Sequence, residues 1–80
     1  MGRSILIDPN DVASDILFGT KLSPVSLKEL GRRTGISPST LSDYKRNPST
    51  IPLERLAVIV RIRGLTDEQI GKVLRAYKGR

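Results

Sequence analysis

The chain has 80 residues, about the smallest length at which one core stands without staples, and it contains no Cys and no His. That excludes a disulfide framework, a thiolate or imidazole metal site, zinc fingers, Cys nucleophiles and Ser-His dyads. Fourteen Lys and Arg against eight Asp and Glu give a net charge of +6, a balance that points to nucleic acid or an anionic membrane surface.

Apolar residues make up 38%, with two Tyr, one Phe and no Trp, enough for an economical core but not for a large enclosed ligand pocket. Neither a cofactor nor a small-molecule substrate is expected. The longest apolar run, Leu56-Ala57-Val58-Ile59-Val60, is far too short to span a bilayer. Ile5-Leu6-Ile7 is too brief for the apolar centre of a secretion signal, and Leu6 stands where a myristoylation motif needs Ser or Thr. The expectation is a cytoplasmic, soluble domain with no membrane partner. Charge is uneven along it: residues 1–25 carry −1, residues 26–50 carry +3 and residues 51–80 carry +4.

Residues 1–8 read as an arm or tail, in which Arg3 can meet a polyanion and Ile5–Ile7 a second copy of the chain. The domain proper is expected over 9–80. Asp8-Pro9 pairs an N-cap with a first helical residue. Val12, Ala13, Ile16 and Leu17 then share one face, and Gly19 ends the helix. Ser26-Leu27-Lys28-Glu29 has the form of a capping box, with Val25 stapled to Leu30 and Gly35 as the terminator. Ser37 caps the next helix, Pro38 opens it, Ile36 staples to Leu41, and Asn47-Pro48 stops it.

The fourth helix opens near Thr50–Pro52 and runs to Arg63 before Gly64, with Leu53, Leu56, Ala57, Ile59 and Val60 as a broad buried stripe. The fifth begins with a second capping box, Thr66-Asp67-Glu68-Gln69. Leu65 staples to Ile70, and Val73, Leu74 and Tyr77 extend the buried face. β-Branched residues alternate nowhere over a useful stretch, except at Ile5–Ile7, so the fold class is all-α with five short helices.

Ser26–Arg46 is one unit: two short helices joined by a turn that contains Gly, which cross steeply. Gly31, inside the first of them, suits a close helix approach, and Leu30, Ile36 and Leu41 supply the shared core. The second helix shows Ser39, Ser42, Asp43 and Arg46 outward. It is small and polar at its start and basic at its end (Lys45, Arg46), as entry into a major groove requires. The stretch from Ser26 to Tyr44 resembles the helix-turn-helix of the lambda-repressor-like (Cro and xenobiotic-response-element type) family. Asn47-Pro48 and Ile51-Pro52-Leu53-Glu54-Arg55-Leu56 resemble its loop and fourth helix, and the likeness covers roughly 9–78.

That resemblance implies a double-stranded DNA partner and a transcriptional regulator, and it favours a prokaryotic or phage repressor. One such motif alone buries little DNA surface, so a homodimer is expected. With no His or Cys, no Gly-rich phosphate loop and no pair of carboxylates in an evident cleft, an enzyme is not expected. The resemblance implies bases read by Pro38, Ser39, Ser42 and Asp43, and phosphates held by Ser26, Lys28, Ser37, Lys45, Arg46 and Thr50. Three positions depart from the family pattern. Gly31 stands where Ala is usual, which should only loosen the helix pair slightly. Leu27 replaces a Gln that bonds phosphate, and Pro38 replaces a Gln used for base reading. The segment from Gly19 to Ser26 is also longer than usual.

Each site residue has a plainer reading. Ser26 and Ser37 are caps first. Ser39, Ser42 and Asp43 can be ordinary solvated residues. Tyr44 reads as core packing before a stacking platform. Arg61, Arg63, Arg75, Lys78 and Arg80 read as a solubilising far face. Part of the Ile70–Tyr77 stripe can form a two-fold interface. The competing function is a small protein-interaction module, such as an antitoxin or assembly adaptor.

Overall fold

The computed structural model describes residues 8–78, with the Lys78 side chain left out; residues 1–7, and with them the proposed arm, lie outside it, as do Gly79 and Arg80. Among the described residues, five α-helices and one 3₁₀ turn follow in order: α1 (Pro9–Phe18), α2 (Leu27–Thr34), α3 (Pro38–Arg46), the 3₁₀ turn (Pro48–Thr50), α4 (Leu53–Arg63) and α5 (Asp67–Lys78). Among the described residues the only extended pairing is an isolated bridge between Gly19 and Pro24.

The helix starts follow their cap chemistry. The Asp8 carboxylate accepts from the Asn10 N–H at 2.9 Å and Pro9 opens α1. Ser37 Oγ accepts from the Thr40 N–H at 3.2 Å and Pro38 opens α3. At α5 the capping box closes in both directions: Thr66 Oγ1 accepts from the Gln69 N–H, and Gln69 Oε1 accepts from the Thr66 N–H. Thr66→Ala removes the cap oxygen and is expected to cost about 1 kcal/mol, read as a lowered denaturation midpoint.

Ser26 caps α2 by accepting from the Glu29 N–H at 3.2 Å, but the reciprocal half of the expected box is missing. The Glu29 carboxylate turns forward instead and takes a bidentate pair of bonds from Arg32, at 2.6 and 3.3 Å. A cation outcompetes a neutral backbone N–H for a carboxylate. That hydrogen bond holds the Glu29 carboxyl below its usual range.

The core is formed by Ala13, Leu17 and Phe18 of α1, Leu30 and Ile36 around the α2–α3 turn, Leu41 and Tyr44 of α3, Ile51, Leu56 and Ile59 of α4 and its approach, and Val73 and Ala76 of α5. α1 packs most extensively on α5 and also meets α3, α4 and the 3₁₀ turn, while α2 packs on α3 and α4. Phe18, unassigned in the periodicity of α1, is completely buried, and so is Pro48 after the chain-stopping Asn47.

Two apolar stripes are narrower than their sequences suggested. In α4, Leu56 and Ile59 are buried, but Ala57 faces solvent and Leu53 in the first turn is 69% exposed. In α5, Val73 is fully buried, Ile70 and Tyr77 are half-buried and Leu74 is 43% exposed. Small Ala76 fills the contact with the other helices instead. Arg63 also leaves the solubilising role. It donates from Nε to the Leu17 carbonyl at 3.1 Å and from Nη2 to the Ile16 carbonyl at 3.4 Å. Those carbonyls end α1 without intrahelical partners, and a guanidinium there also meets the negative end of the helix dipole.

Candidate nucleic-acid interface

The turn between α2 and α3 sets the geometry of the candidate site. Gly35 adopts the left-handed conformation at φ 80° and ψ 11°, and its N–H closes α2 on the Gly31 carbonyl at 2.8 Å. Thr34 braces the turn: its hydroxyl donates to the Leu30 carbonyl at 2.8 Å and accepts from the Ile36 N–H at 3.3 Å. Gly31 packs closely against the turn and the start of α3. A Cβ on residue 31 would lie 2.6 Å from the Ile36 carbonyl oxygen and 3.5 Å from the Pro38 ring carbons. The close approach expected at Gly31 is present, and the expectation that Gly31 merely loosens the pair is corrected, because a Cβ there would force the turn backbone to shift.

α3 is anchored from one side. Leu41 is fully buried and Tyr44 nearly so, with the Tyr44 hydroxyl accepting from Arg55 Nη1 at 2.9 Å. Arg55 thus ties α4 to α3, a role that sequence spacing gave no reason to assign. Behind it the Tyr77 hydroxyl donates to the Ile51 carbonyl at 2.6 Å. Burial, with the Tyr44 phenol adding to it, pushes the Tyr77 phenol above its usual range, so it stays protonated and able to donate.

With 3.6 residues per turn, Ser39, Ser42, Asp43 and Arg46 fall opposite Leu41 and Tyr44. Ser39, Asp43 and Arg46 are exposed and Ser42 is half-buried at the edge of the face. Asp43 and Arg46 form an ion pair along the helix, Arg46 Nη2 to Asp43 Oδ1 at 2.5 Å. Pro38 and Lys45 are exposed on one flank. Lys28 is exposed in the first turn of α2, beside the Ser26 cap. Thr50 is exposed and its hydroxyl donates to the Asn47 carbonyl at 2.7 Å. The longer segment between α1 and α2 folds back through mutual Thr20 and Ser23 backbone bonds and leaves Leu22 98% exposed.

Five helices packed on one core, with two of them crossing at a glycine turn and a polar face turned outward, define an all-α helix-turn-helix domain. A family model described as Helix-turn-helix, of the Cro type, matches residues 25–66, more than half of the chain. The chain belongs to that family, which is a DNA-binding family and not an enzyme family. No curated protein and no solved structure matches it. No helix among the described residues is long and apolar enough to cross a membrane.

Proposed function

We propose that this DNA-binding domain reads a specific double-stranded sequence and acts as a prokaryotic or phage repressor, with α3 in the major groove. The supporting observation is the outward face of α3. Its apolar residues are spent on the core, so Ser39, Ser42, Asp43 and Arg46 are left to meet another molecule. Short side chains at its start let a helix approach base edges closely. Pro38 lacks a donor and offers only apolar contact, such as with a thymine methyl.

Ser26, Lys28, Ser37, Lys45 and Thr50 form the phosphate-facing set around that helix, with Arg46 at its boundary with the base-facing set. The backbone N–H groups beside the Ser26 and Ser37 caps add to it. A two-fold dimer places two copies of α3 about one DNA turn, roughly 34 Å, apart on a near-palindromic site, and repression follows from occlusion of a promoter. The half-exposed Leu74 between Ile70 and Tyr77 on α5 supplies an apolar patch for such a contact.

Titration of mixed-sequence duplex DNA at several salt concentrations tests this reading. Affinity is expected to fall steeply with salt, because each phosphate contact releases a counterion. Lys45→Ala is expected to weaken all duplexes alike and to lower the log–log salt slope by about one. A second reading, a protein-interaction module, draws on the exposed Leu22 and Leu53. Absence of binding to any duplex at low salt would favour it.

A further inference from the structure

The Asp43–Arg46 pair contributes little to the fold. Its side chains are 65% and 76% exposed, and exposed pairs of this kind add between nothing and about 1 kcal/mol. A carboxylate on a surface that faces phosphates is also repelled unless it has a partner. Arg46 uses Nη2 on Asp43 Oδ1, and among the described residues no other hydrogen bond engages its remaining N–H donors or Asp43 Oδ2. The pair therefore presents free donors directly beside a free acceptor, on the face shared with Ser39 and Ser42.

In the major groove a G·C pair presents guanine N7 and O6 as acceptors beside the cytosine N4 amino donor. An A·T pair breaks that order, with a donor on adenine next to N7 and a methyl group on thymine. We infer that Asp43 and Arg46 act as one unit reading a G·C base pair, Arg46 donating to guanine N7 and O6 while Asp43 accepts from cytosine N4. This rests on the DNA-binding reading above and places Arg46 with the base readers instead of the phosphate contacts. Asp43 both contacts the cytosine and holds Arg46 over the helix face, away from the flanking phosphates.

Duplexes selected from a random-sequence pool by the intact protein provide the probe. The winning duplex is expected to hold a G·C pair at a fixed position. Replacing its guanine with 7-deazaguanine, which lacks N7, should weaken binding by the unaltered protein about tenfold. Arg46→Ala should lose about tenfold to a hundredfold on the selected duplex. The analogue should cost this variant nothing more, and its salt slope should stay unchanged. Asp43→Ala should relax the preference for G·C over A·T at that position.

Both side chains are exposed, so an unaltered helical circular dichroism spectrum is expected for each variant, and the base analogue needs no variant at all. A uniform loss on every duplex with a slope lowered by about one would make Arg46 a phosphate anchor and overturn the pair. So would an Asp43→Ala variant that binds all duplexes more tightly, or indifference to 7-deazaguanine. If the intact protein binds no duplex at low salt, the DNA-binding reading itself falls, a separate and recognisable outcome.

Discussion

Phe18→Ala is expected to lower stability by about 3–5 kcal/mol, the usual cost of emptying a fully buried aromatic site. Phe18 is the last residue of α1 and has no exposed surface. Its helix packs on α5, α3, α4 and the 3₁₀ turn, and Phe18 belongs to the core cluster that these elements share. A domain of this kind holds a total of about 5–15 kcal/mol, so the loss is a large share of it. Urea denaturation should show a much lower midpoint with an unchanged slope. A loss below about 1 kcal/mol would mean that the end of α1 is not part of the cooperative core. DNA binding by this variant should recover on cooling or with added duplex, because no candidate contact residue is touched.

Gly31→Ala is expected to destabilise by about 1–3 kcal/mol even though alanine is the better helix former by about 1 kcal/mol. The new methyl would sit 2.6 Å from the Ile36 carbonyl oxygen. That oxygen belongs to the backbone of the turn and cannot swing aside like the tip of a side chain. The turn must shift, and Ser37 and Pro38, which start α3, shift with it. Binding to a selected duplex should therefore fall further than the folded fraction alone explains, in contrast to Phe18→Ala. Denaturation and duplex titration on the same sample separate the two effects. A gain in stability would show that the turn yields freely and that glycine is not required there.

The local grammar of this chain was legible because it acts within a few residues. Asp8-Pro9, Ser37-Pro38 and Thr66 with Gln69 each complete a cap inside one turn, so the helix starts could be read without knowing what packs where. Gly35 behaved as its type demands at a left-handed position. The outward set Ser39, Ser42, Asp43 and Arg46 was readable from helical spacing once Leu41 was taken as core. Failures occurred where two partners competed or where a partner came from far along the chain. Glu29 could choose between a backbone N–H and Arg32. Arg63 found carbonyls 46 and 47 residues away, and Arg55 found a phenol 11 residues away. Leu53 and Leu74 fit their stripes by spacing but are left partly uncovered.

Residue order alone settled the all-α class, the cap and stop of most helices and the glycine turn, since these depend on dihedral preference and hydrogen bonds between near neighbours. Folding in three dimensions settled how close α2 and α3 approach at Gly31, which arginines brace the fold, and which apolar residues stay in solvent. Those depend on what each side chain meets across the molecule, and periodicity within one helix carries no information about its neighbours' positions.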